Sequence, residues 1–146
     1  NIPHHPSHIR ILFGHGRFAH ELVRAAVHIM GHPEPNLAGV DVSPHWPYEE
    51  ALERVQAALA EVADADGAVV LTDMYGGTPA NLGMEFLDPG RVEVIAGVNL
   101  PMLVRLLTYR SKPLEEQVQK ALEGGREGVV LGRSRFVKRT TPQGRP

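Results

Sequence analysis

His15 stands between two glycines, in Phe13-Gly14-His15-Gly16-Arg17, directly behind a short apolar run. A neutral imidazole is a nucleophile at cellular pH, and flanking glycines leave it uncovered, so a second protein could bring a phosphorus atom to it. The same residues also suit an ordinary turn in which the glycines serve backbone geometry alone. A second segment adds weight to chemistry: Leu71-Thr72-Asp73-Met74-Tyr75-Gly76-Gly77-Thr78-Pro79. A carboxylate that accepts a hydrogen bond from one ring nitrogen fixes the tautomer and leaves the other nitrogen free to attack. Asp73 could do this and stabilise a ring that becomes cationic on phosphorylation, or it could cap a turn after a strand. Gly76, Gly77 and Thr78 would offer free amides at a helix start, worth about 0.3–1 kcal/mol per anionic charge through the helix dipole. The Thr78 hydroxyl is a further donor. The chain has neither the G-x-x-x-x-G-K-[ST] nor the G-x-G-x-x-G pattern of nucleotide-binding loops. Nucleophile, orienting acid and anion donors together are the equipment of a phosphoryl carrier.

The elements that must position these groups alternate. Ile9 to Phe13 reads as a strand. The apolar spacing of Phe18, Leu22, Val23, Ala26, Val27 and Met30 predicts a helix that stops at Gly31. Leu37 to Val42 is a second strand, and Tyr48, Leu52, Val55, Leu59 and Val62 mark a second helix. Gly67 to Thr72 is almost wholly apolar, as for a strand covered on both faces. Thr78, as an N-cap, and Pro79 open a short helix to about Leu87. Val92 to Ala96 is a fourth strand, followed by a helix near Pro101. A last helix from Pro113 ends at Gly124-Gly125, and Val129-Val130-Leu131 is a candidate final strand. This order predicts a three-layer α/β/α fold with a mainly parallel sheet of four strands, to which the candidate C-terminal segment would add a short edge strand. Ligand sites in such sheets lie beyond the carboxyl ends of the strands, where strand order reverses. His15 and Asp73 would share that crevice if the first and third strands are neighbours. Residues 1–8 read as a loose arm, 9–132 as one domain, and 133–146 as a basic flexible tail.

Composition narrows the class. The 146 residues suit one domain, and 42% apolar with 22% charged residues is ordinary for a globular protein. Fifteen basic against seventeen acidic residues, net charge −2, argues against nucleic acid as the main partner. No cysteine is present, which removes disulfides, thiolate metal sites and cysteine catalysis. No apolar stretch approaches the ~18 residues of a membrane span and no signal-peptide pattern opens the chain, so direct membrane insertion is not expected and a cytoplasmic location fits.

Four blocks make the chain similar to enzyme IIA of the mannose family of the bacterial sugar phosphotransferase system. They are Gly14-His15-Gly16, then Asp73-Met74-Tyr75-Gly76-Gly77-Thr78-Pro79-Ala80-Asn81, then Val94-Ile95-Ala96-Gly97-Val98-Asn99-Leu100-Pro101-Met102-Leu103, and Gly124-Gly125-Arg126-Glu127-Gly128-Val129. They lie in order across about residues 9–131. The resemblance implies a phosphotransferase in which His15 takes phosphate from phospho-HPr and passes it to an enzyme IIB partner, with no cofactor. It implies that Asp73 orients the ring at Nδ1, leaves Nε2 as acceptor, and that Gly77 and Thr78 receive phosphoryl oxygens. It further implies a homodimer, sometimes with an exchanged C-terminal strand. No IIB-like stretch follows, leaving a single-domain IIA or a piece cut at the linker.

Two positions depart from the family pattern. Members usually have a small hydroxyl residue where this chain has Gly14, and mannose-transporter members often have an aromatic residue where it has Arg17. Arg17 could hold the phosphate or a partner's carboxylate, or face solvent. The rivals are a regulatory phospho-acceptor that senses phosphotransferase flux without sugar transport, the phosphotransfer subunit of a dihydroxyacetone kinase, and a flavodoxin-like ligand-binding domain. No metal site is expected. His20-Glu21-Leu22-Val23-Arg24 lacks the second histidine of a zinc protease motif, and His28 and His32 straddle Gly31 without an obvious third ligand.

Overall fold

The computed structural model describes residues 8–60 and 66–135. Four strands form one sheet: β1 (His8–His15), β2 (Leu37–Val42), β3 (Gly67–Thr72) and β4 (Val92–Ala96). All pair in parallel, in the order β2-β1-β3-β4. The chain therefore adds β2 on one side of β1 and then returns to add β3 on the other. The reversal falls between β1 and β3, which makes the space beyond their carboxyl ends the place to look for a site.

Helices cover both faces. One face of β1 and β3 presents Leu12, Val69 and Leu71 to α1 (Phe18–Met30), α4 (Leu100–Thr108) and α5 (Leu114–Glu127). The other presents Ile9, Ile11, Phe13 and Val70 to α2 (Tyr48–Ala60) and α3 (Thr78–Met84). Side chains alternate between faces along a strand, so β1 supplies Leu12 to one core and Phe13 to the other. Both central strands are buried throughout, apart from His15 at the tip. The three layers expected from the alternation are present.

Four details differ from the sequence expectation. Strand β1 begins at His8, inside the proposed arm, and His8 is buried. Gly77, not Thr78, is the N-cap of α3; Thr78 is the first helical residue. Helix α5 does not stop at Gly124-Gly125 but runs through them to Glu127. A Cβ added to Gly124 would stand 2.7 Å from Arg105 Cβ, and one on Gly125 2.6 Å from Met102 Cε. These glycines let α5 lie almost backbone to backbone on α4, so they serve packing, not termination. Finally, Val129, Val130 and Leu131 are exposed and pair with no strand among the described residues; the short helix α6 (Gly132–Arg135) follows. The fifth, edge strand is thus not formed among the described residues, whose sheet has four strands. The rest of the proposed arm, residues 1–7, and of the tail, residues 136–146, lie outside the described residues.

Candidate functional site

The site grows out of the β1–β3 pairing. Phe13 stands opposite Thr72, and the ladder continues one step further as Asp73 N–H donates to the Phe13 carbonyl at 3.2 Å. That step brings Asp73 beside His15, although 58 residues separate them. Both donors of His15 converge on one carboxylate oxygen: the backbone N–H and ring Nδ1 each lie 2.7 Å from Asp73 Oδ2. The second oxygen, Oδ1, accepts from Met74 N–H at 2.9 Å.

This geometry decides the tautomer. Burial of the Asp73 carboxyl opposes its ionisation, but the hydrogen bonds from the His15 backbone and ring, the attraction of the imidazole and the Met74 N–H outweigh it. Together they hold the group below the ordinary carboxylate range. An ionised carboxylate only accepts hydrogen bonds. Nδ1 must therefore carry the proton, and in the neutral ring the lone pair lies on Nε2.

Nε2 is directed at the β3–α3 loop. A Cβ placed on Gly77 would lie 2.8 Å from His15 Cε1 and 3.2 Å from Nε2, so only a glycine lets the ring edge rest there. Gly76 has φ +90°, a left-handed conformation that turns the chain into this approach. Gly77 is extended and supplies no capping side chain. The first amides of a helix have no partner within it, and α3 starts at Gly77, the residue beside Nε2. The ring itself is open: the His15 side chain is 56% exposed while that of Asp73 is only 12% exposed.

Of the residues singled out from sequence, His15 meets Asp73 and Gly77, and Gly76 and Thr78 flank Gly77 in the chain. Arg17 is turned to Glu21 instead, its guanidinium 3.8 Å from that carboxylate on the exposed side of α1. His28 and His32 do not converge either, since His32 Nδ1 lies against the Pro33 carbonyl at 3.1 Å. Among the described residues no cluster of three or more His, Asp or Glu side chains is arranged to hold a metal. Sequence reasoning passed over the Met74 amide, which holds the outer carboxylate oxygen. It also passed over Asp41, whose Oδ1 accepts from His20 N–H at 3.1 Å at the start of α1. Neither bond has a signal in the local sequence.

A parallel α/β sheet with a histidine–carboxylate pair at its switch point defines a class, and the comparisons define the family. The model of the family described as "PTS system fructose IIA component" matches residues 10–123, and the chain belongs to this family of phosphotransferase components. It is 36% identical over 138 residues to the mannose-specific EIIAB component of the phosphotransferase system of Escherichia coli (strain K12), which covers 92% of this chain and 42% of that protein. It is 33% identical over 101 residues to the fructose-specific EIIA component of Bacillus subtilis (strain 168), 68% of each chain. The mannose/sorbose-specific IIA subunit from Enterococcus faecalis shares the fold, with a TM-score of 0.80 over 92% of this chain and 99% of its own, at 24% identity. The chain spans about two-fifths of the length of the Escherichia coli relative. Among the described residues no helix is long and apolar enough to cross a membrane.

Proposed function

We propose that this protein is a histidine phosphoryl carrier, taking phosphate from phospho-HPr onto His15 and handing it to an enzyme IIB partner. The Nε2 lone pair attacks phosphorus. The bond from phosphorus to the donor breaks, its electron pair leaves with the donor, and a P–N bond forms. The ring keeps its Nδ1 proton and becomes cationic, balanced by the phosphoryl oxygens and by Asp73. Transfer onward is the reverse of this step with the IIB group as acceptor. The amides of Gly77 and Thr78, reached through the Gly76 turn, receive phosphoryl oxygens, and the Thr78 hydroxyl adds a donor. Phosphoryl transfer asks a protein mainly for positioning and charge stabilisation, so this reading needs neither cofactor nor metal.

The observation that carries the reading is the pair of 2.7 Å contacts from His15 to Asp73 Oδ2, with Nε2 left at Gly77. Residues 9–132 act as the transfer domain. Arg17, exposed two positions after the histidine, contacts a carboxylate of either partner. The protein works in the cytoplasm as a homodimer. Incubation with enzyme I, HPr and phosphoenolpyruvate yields an acid-labile, base-stable phosphoprotein, and His15→Ala abolishes the label. A label that survives in that variant would remove the reading.

A further inference from the structure

Helix α1 starts without a cap of its own. Arg17 occupies the N-cap position with φ −102° and ψ 14°, and its side chain makes no capping hydrogen bond. An uncapped start leaves four amides without helical partners, those of Arg17, Phe18, Ala19 and His20. In a capped helix a side-chain oxygen at the N-cap would accept from the second or third helical N–H. Here the third, His20 N–H, donates to Asp41 Oδ1 at 3.1 Å, from the neighbouring strand.

The reach across is made by two glycines on adjacent strands. A Cβ on Gly39 would stand 2.9 Å from the Ala19 carbonyl carbon and oxygen, and one on Gly14 3.1 Å from Ala19 N and 2.9 Å from Phe18 Cδ2. The first turn of α1 therefore lies directly on the sheet, with Ala19 fully buried. In the β1–β2 register Gly14 stands opposite Asp41 and His15 opposite Val42. Only Gly16, with φ +56°, and Arg17 separate His15 from this helix start. Whatever seats the first turn therefore seats the loop that carries the imidazole.

We infer that Asp41 is a positioning residue for chemistry at His15. Its carboxylate caps α1 from β2, a favourable place for a negative charge at a helix N-terminus. The capped turn, seated on Gly14 and Gly39, fixes the far end of the short Gly16–Arg17 link, which keeps the His15 ring in register with Asp73 Oδ2. The inference rests on the proposed carrier role only for its rate; the ring geometry is tested separately.

The experiment compares wild type, Asp41→Ala and Asp41→Asn, each checked for folding by circular dichroism. Two readouts are taken: the initial rate of labelling by phospho-HPr, and the imidazole nitrogen chemical shifts of His15, which report the tautomer. Asparagine keeps an oxygen for His20 N–H; alanine does not. The expected result is a loss of about tenfold or more in rate for Asp41→Ala, with tautomer mixing at His15, and a return of both readouts toward wild type in Asp41→Asn. Should Asp41→Ala fail to fold, Asp41→Ser, whose shorter side chain cannot span the same gap, takes its place. A folded alanine or serine variant with the wild-type rate, or a slow one with an unchanged His15 tautomer, overturns the inference. So does an asparagine variant as impaired as alanine. If wild type takes no label, the carrier reading falls, and the His15 tautomer comparison still decides the role of Asp41.

Discussion

Replacing Asp73 by asparagine tests the site most directly, because the change removes one charge and one acceptor while keeping the shape. In the wild type, Oδ2 serves the His15 backbone and Nδ1, and Oδ1 serves Met74 N–H. Asparagine has a single acceptor oxygen. If that oxygen faces His15, the amide NH2 confronts the Met74 N–H, donor against donor; if it faces Met74, the ring nitrogen is confronted instead. A hydrogen bond to a charged group contributes about 1.5–3 kcal/mol and a neutral one about 0.5–1.5. Neutralising the acceptor under a ring that becomes cationic thus costs about 1–1.5 kcal/mol in the transition state, or about tenfold in rate. The misplaced amide group takes the expected loss to between about ten- and a hundredfold. Rapid-mixing measurement of phosphate transfer from phospho-HPr, with circular dichroism as the control for folding, reads the effect. An Asp73→Asn protein that is folded and transfers within about twofold of wild type would refute the orienting role. The same substitution has a signature in acid. A depressed carboxyl contributes stability that is present above its unfolded pKa and is lost as pH falls through the folded value. The wild type therefore loses this increment on acidification, and Asp73→Asn has none to lose; urea titrations at neutral pH and across the carboxylate range compare the two.

Two further predictions concern opposite ends of the sheet. Gly77→Ala places a methyl 2.8 Å from His15 Cε1. It should slow labelling by about tenfold or more through displacement of the ring and leave the fold intact, since φ −92° is open to alanine; wild-type labelling kinetics would contradict the assigned contact. At the other end, burial and then the charge of Arg10 lower the pKa of His8 against a raising influence from Asp66, and His8 Nδ1 lies 2.7 Å from the buried Gln117 Nε2. The unfolded chain takes up this proton more readily than the folded one. Stability from His8 is therefore complete above about pH 6.5 and declines as pH falls below it. Urea unfolding at pH 8 and pH 5 should show a larger loss for the wild type than for His8→Gln, and equal losses would remove His8 as a cause.

The strands, the layer order and the meeting of His15 with Asp73 were legible because they rest on local signals. Apolar runs of the right length mark Ile9 to Phe13 and Gly67 to Thr72, and glycine loops after them mark the strand ends. Once β1 and β3 are neighbours, the pairing of the two side chains follows from geometry. What escaped depends on contacts remote in sequence. Gly124-Gly125 looks like a helix stop when read alone, and becomes a packing surface only because α4 lies against it. Thr78 has the chemistry of a cap, but the extended Gly77 already holds that position. Val129 to Leu131 has the composition of a strand, yet a strand exists only if a partner edge receives it. Asp41 had no local signal at all, since its hydrogen bond runs to a helix 21 residues earlier.

The seam between α4 and α5 reaches further than its own packing. Asn99 Oδ1 accepts from Met102 N–H at the head of α4, while its Nδ2 donates to the Gly125 carbonyl in α5. Two residues before Asn99 the backbone turns, and the amides of Gly97 and Val98 both donate to the Thr72 carbonyl, adjacent to Asp73. A continuous bracket of hydrogen bonds thus runs from the last long helix to the peptide that carries the carboxylate. Any shortened version of this polypeptide that ends ahead of Gly124 would saw through the strut that holds up its acid, far from the imidazole it serves.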